Sequence, residues 1–76
     1  MPVRLADCAR GDRVRIVRID AGRGAALNLM DLGLNVGETI ELLRISPFRG
    51  PLLVSRGHTE VAVGYRLAEK ILVDKG

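Results

Sequence analysis

The sequence predicts a mainly β fold, a small closed barrel of about five strands carrying one short helix. Three observations support this. The runs Asp12–Ile19 and Thr39–Ile45 alternate apolar residues with charged or polar ones, as half-buried strands do. In each run the alternation slips by one residue partway along, so each strand must bend. Ala25–Leu32 is the one segment with clear helical patterning, and it is only about two turns long.

Taken in chain order, Asp12–Ile19 puts Val14 and Ile16 on one face with Arg18, whereas Val17 and Ile19 share the face of Arg13 and Arg15. Side chains on a strand alternate with period two, so this phase change requires a bulge or sharp bend near Ile16–Val17. Asp20-Ala21-Gly22-Arg23-Gly24 reads as a turn, and the helix Ala25–Leu32 follows. Gly33 stands directly after it, where a left-handed residue commonly ends a helix and a Cβ is costly. Asn35-Val36-Gly37 turns the chain into Thr39–Ile45, where Ile40 and Leu42 lie on one face and Leu43 and Ile45 on the other. Long strands that bend in this way are what a small closed barrel requires. Ser46-Pro47-Phe48-Arg49-Gly50-Pro51 forms a tight loop. Leu52–Ser55 and Thr59–Val63 are short strands joined by the hairpin signal Arg56-Gly57-His58. Tyr65–Lys70 can make one helical turn, and Ile71–Val73 is a closing strand. No linker, repeat or low-complexity segment interrupts the chain, which reads as a single domain over residues 1–76. This set of elements indicates an SH3-like barrel rather than a helical bundle.

With 76 residues, 47% hydrophobic and 28% charged, the chain has the make-up of an ordered globular domain. A domain of this size buries only about 60% of its unfolded surface, so the core is small. Apolar runs fall far short of the roughly 20 residues needed to cross a bilayer, and no membrane-inserted segment is expected. Met1–Asp7 lacks the apolar stretch of a secretion signal, and the single cysteine suits a reducing compartment. The expected location is the cytoplasm. The net charge of +3 invites a polyanion, but the ten arginines are dispersed among nine acids, without consecutive basic residues. Phe48 and Tyr65 are the only aromatics, too few for stacking single-stranded bases. Nucleic acid is therefore disfavoured as a partner. No nucleophile with a matching base, phosphate-binding Gly-x-x-x-x-Gly-Lys loop or paired carboxylates are present, so the chain does not read as an enzyme.

The ordered set Leu5-Ala6-Asp7, Gly11-Asp12, Leu29-Met30-Asp31-Leu32-Gly33-Leu34, Gly37, Pro47, Gly50-Pro51, Gly57 and Ala68–Val73 resembles the FeoA family of ferrous iron uptake. The resemblance runs from about Leu5 to Val73. It implies an SH3-like barrel related to the C-terminal domain of diphtheria toxin repressor-type metalloregulators. It also implies a small cytoplasmic accessory protein acting on FeoB, a membrane ferrous iron transporter with a cytoplasmic G-protein domain. The docking site would lie on the G-protein domain or on the membrane part. The chain departs from the family at Asn28, where many members carry arginine, and at Ala62-Val63-Gly64, where many read Ala-Leu-Arg. The alternative reading is a stand-alone barrel module of a metal-responsive transcriptional regulatory complex.

Four residues are candidates for partner binding: Leu27, Asp31, Leu32 and Phe48. On a helical wheel Asn28 and Asp31 mark the polar side. Apolar residues fill the remaining arc, roughly 220° wide, whereas a packed helix needs a stripe little over 100°. Leu27 and Leu32 flank the polar side, either as an exposed docking patch or as core under wrapped strands. Phe48 stands at the tip of a proline-stiffened loop, either presented outward or folded down as a lid over one barrel end. Cys8 reads as a buried thiol and His58 as a solvated turn residue, with a ferrous site of His58, Glu60 and another carboxylate as the lesser alternative. No metal ligand and no cofactor is assigned. The apolar helix and edge strands leave a homodimer open.

Overall fold

A computed structural model of the chain describes residues 1–75. The elements are β1 (Val3–Arg4), a 3₁₀ turn (Leu5–Asp7), β2 (Arg13–Ile19), α1 (Arg23–Asp31), β3 (Thr39–Ile45), β4 (Leu52–Arg56), β5 (Thr59–Val63), α2 (Tyr65–Ala68) and β6 (Ile71–Lys75). The six strands form one antiparallel sheet in the order β1-β6-β2-β3-β4-β5. The sheet is rolled: residues from across its width, from Val14 and Ile16 in β2 to Val61 and Val63 in β5, meet in one core cluster, and the molecule is nearly isometric, 27 × 27 × 26 Å. This is the mainly β, SH3-like architecture expected. The structure adds β1, which two residues are too short to announce through alternation. It also starts the helix at Arg23 rather than Ala25, because Gly22 serves as its N-cap.

The rolling has an identifiable cause. The β2–β6 register shifts between Ile16 and Arg18, and the β3–β4 register shifts between Leu42 and Arg44. Both shifts fall where the apolar alternation changes phase. A bulge adds one unpaired residue, bends its strand and increases the local twist. Val14, Ile16, Ile40 and Leu42 can therefore face one core together with Leu52, Val54, Val61, Val63, Ile71 and Val73. Leu5, Cys8, Leu29, Leu34 and Ala68 complete that core, and no polar or charged side chain is buried among the described residues.

Helix α1 ends in a Schellman motif. The Gly33 N–H donates to the Met30 carbonyl at 2.9 Å, and the Leu34 N–H donates to the Leu29 carbonyl at 2.8 Å. Leu29 and Leu34, the pair this motif brings together, are both fully buried. Gly33 has φ +82°, and a Cβ there would lie 2.9 Å from an Arg56 guanidinium nitrogen. Arg56 therefore lies against the negative end of the helix, with Glu38 3.4 Å from its Nε.

The two hairpin turns differ in strain. Gly57-His58 connects β4 to β5 with Gly57 at φ +60° and His58 outside the left-handed region, the II′ pattern that favours glycine first. The β3–β4 connection is costlier. Phe48 and Arg49 both have φ +57°, and the Gly50 N–H donates to the Pro47 carbonyl at 3.1 Å. This is the I′ pattern, normally carried by Asn-Gly, and bulky residues adopt it only under constraint. Three features supply the constraint: the prolines at 47 and 51, the Ser46 N–H to Pro51 carbonyl bond of 3.2 Å, and the tight approach at Gly50. A Cβ on Gly50 would lie 2.7 Å from that of Ser46.

The N-terminal region is tied down by carboxylates. Asp12 accepts the Ala9 N–H at 2.8 Å and lies 3.1 Å from the Lys75 ammonium, which together hold its carboxyl below the usual range. The Arg4 guanidinium does the same for Asp7 at 2.8 Å.

Three outcomes are expected from this packing. Gly33→Ala should destabilise the protein by about 1–2 kcal/mol in urea unfolding, from backbone strain together with the Arg56 contact. Replacing Phe48-Arg49 by Asn-Gly should stabilise it by about 1–2 kcal/mol, because the strained pair is exchanged for one that tolerates φ > 0. Both carboxyls are depressed in the folded state, so their stabilisation is complete above the ordinary carboxylate pKa of about 4 and is lost as pH falls through the folded values. Thermal melts should therefore drop on acidification below about pH 4, and less steeply in Asp12→Asn.

Candidate partner-docking surfaces

The inward arc of α1 is short of bulk. Ala25 and Ala26 are half-buried and Leu29 is fully buried. On the wheel, Leu27 and Asp31 lie roughly opposite Leu29, with Met30 and Asn28 on the two flanks between them and the buried side. Leu27 is 50% exposed, Met30 57% and Leu32 40%. Val36, just past the helix, is exposed as well. The sequence left Leu27 and Leu32 open between core and surface, and the structure puts both on the surface. Asp31 sits among them. Met30, one residue of the broad apolar arc, is the most exposed of the three large apolar side chains Leu27, Met30 and Leu32. Leu29 turns into the core with Leu34, and Met30, about 100° further round the helix, is left in solvent.

Phe48 is fully exposed at the tip of the β3–β4 hairpin, so it is presented outward and forms no lid. The Arg49 guanidinium carbon lies 6.0 Å from the centroid of the Tyr65 ring, linking the tip to α2. The structure does not bring Phe48 together with the helix patch. The C-terminal end of α1 meets β4 at Arg56, whereas the tip adjoins the other end of β4, at Leu52. Four residues of strand separate those ends by about 13 Å.

Cys8 is buried, its thiol 3.6 Å from the Arg4 carbonyl, and burial pushes the thiol pKa up. A raised pKa disfavours the thiolate that metal binding or nucleophilic attack would need. His58 is exposed in the β4–β5 turn and lines a shallow cleft with Glu38 and Arg56. Glu60 lies across from Ser55 on the outward face of the sheet. Among the described residues no three of His, Cys, Asp and Glu converge on a common point. Gly22-Arg23-Gly24, read from sequence as a turn, is the N-cap and first turn of α1. No described helix is long and apolar enough to cross a membrane.

These features can be set beside known proteins. The FeoA domain profile matches residues 3–75. A relative from Methanocaldococcus jannaschii, provisionally named Fe(2+) transport protein A, is 36% identical over 70 residues, covering 92% of this chain and 83% of its own length. The crystal structure of an iron uptake regulatory protein, FeoA, superposes with TM-score 0.88 at 34% identity, covering 100% of this chain and 99% of that one. The solution structure of FeoA from Chlorobium tepidum gives 0.89 at 29% identity, over 96% and 70%. A manganese-dependent transcriptional repressor bound to manganese gives 0.91 at 23% identity, over 99% of this chain but 37% of that one, a likeness of fold alone. With nearly every residue inside the profile and a relative at this identity, the chain belongs to the FeoA family.

Proposed function

We propose that this protein is a cytoplasmic accessory of ferrous iron uptake that docks through α1 onto a FeoB-type membrane transporter and carries no catalysis of its own. The observation that supports the reading most is the outer face of α1. The nine-residue helix buries one leucine and leaves Leu27 and Met30 exposed on one side of Asp31, with the C-cap residue Leu32 exposed on the other. Leu27 and Met30, about 60° apart on the wheel and beside a carboxylate that can take a rim hydrogen bond or ion pair, have the composition of a protein interface centre. Family membership supports iron transport as the setting. The repressor likeness is confined to the fold and adds no weight to a role at DNA.

Titration of the protein into the purified full-length transporter from the same source, with binding and GTP hydrolysis followed together, tests the reading. Saturable binding is expected, and the hydrolysis rate then separates a regulator from a passive scaffold. Absence of binding with and without nucleotide and ferrous iron would refute the proposal. Leu27→Ser should weaken binding about tenfold, as loss of an interface leucine does, while its melting temperature stays near that of the parent protein. A large loss of stability would instead assign Leu27 to the core.

A further inference from the structure

The β3–β4 arm has a composition and shape that α1 docking leaves unused. Its apex is a fully exposed phenylalanine held in a strained turn. Behind the apex, Arg10, Leu43, Arg44, Ile45 and Leu53 line one shallow groove. Ile45 is also exposed, so an apolar strip runs from the tip along the arm. From Leu42 to Thr59 the chain contains no Asp or Glu. Arg10, Arg44 and Arg49 enter no ion pair among the described residues, whereas Arg56, at the far end of β4, is paired with Glu38. The nearest acids on the outward face are Glu41 and Glu60, both beside Ser55. They stand one pleat repeat, about 7 Å, further from the tip than the Arg44–Leu53 row.

We propose that this arm is a peripheral contact for an anionic lipid surface, with Phe48 entering the headgroup region and Arg44, Arg49 and Arg10 facing lipid phosphates. Three arguments favour a bilayer over a protein pocket. A single exposed phenylalanine offers about 200 Å² of contact, against the roughly 800 Å² per partner of a stable protein interface. A bilayer needs no shape complementarity, and unpaired arginines around an apolar residue match its surface, negative outside and apolar beneath. The strained turn fixes Phe48 outward before contact, so little ordering entropy is lost on insertion. Nothing spans the bilayer, and the contact is weak and reversible, in keeping with one inserted ring.

The test is co-sedimentation of the full chain with two sets of vesicles, one of phosphatidylcholine alone and one of phosphatidylcholine and phosphatidylglycerol in equal parts. Binding is expected to the anionic vesicles only, and to vanish as salt is raised from about 0.1 M to about 1 M. Phe48→Ala should lower the bound fraction about tenfold, and Arg44→Gln or Arg49→Gln roughly fivefold each, with melting curves confirming the fold. Leu27→Ser should bind vesicles like the parent protein, which separates this surface from the transporter-docking one. Failure to bind anionic vesicles, or equal binding by Phe48→Ala, would overturn the proposal. So would binding to both vesicle types alike, or loss of binding in Leu27→Ser. Vesicle binding untouched by Phe48→Ala while transporter capture weakens would make the tip a protein anchor instead.

Discussion

An antiparallel sheet with one apolar face must cover that face, and this chain has little to cover it with. Helix α1 contributes one buried leucine, and α2 is a single turn. The phase shifts at Ile16/Arg18 and Leu42/Arg44 solve the problem by rolling the sheet onto itself, so that strand residues face strand residues. Every other feature depends on this. With the core filled from the strands, the helix is freed from supplying apolar bulk, and the Ser46–Pro51 turn closes the β3–β4 hairpin just beyond its last pair, Ile45–Leu52.

The consequence for α1 is an amphipathic helix whose larger apolar side chains point the wrong way for a purely structural role. Ala25, Ala26 and Leu29 face the barrel, and Leu27 and Met30 face solvent. The Schellman motif fixes that rotation through Leu29 and Leu34, and Gly33 with Arg56 locks the end of the helix. Hydrophobic side chains left in water on a short helix are a standing cost, and a partner that covers them recovers it. Strain at Phe48-Arg49 is a second cost of the same kind. Its location at an exposed tip, away from the core, links it to presentation of a side chain rather than to folding.

The two surfaces give the protein a polarity. One end of β4 carries the helix patch, and the other carries the arginine-flanked phenylalanine. One is carried by α1, whose end meets Arg56, and the other by the β3–β4 turn next to Leu52. This suits an accessory protein whose proposed role is to dock on a partner and whose described residues offer no converging metal ligands.

The amino-acid sequence by itself determined the strand periods, both bulge positions, the helix stop at Gly33 and the family. Each depends on local chemistry: period-two alternation, the left-handed freedom of glycine, and the spacing of turn residues. β1 was not legible because two residues carry no period, and the start of α1 was obscured because Gly22 and Gly24 mimic a turn. Tertiary structure alone decided which leucines are core. Leu27 and Leu29 have the same chemistry two residues apart, and only the docking of the helix against the barrel buries one and exposes the other. It alone also decided that Phe48 points outward, through a turn conformation that its sequence disfavours and its neighbours impose. Burial and strain are relations between distant segments, and no local pattern records them.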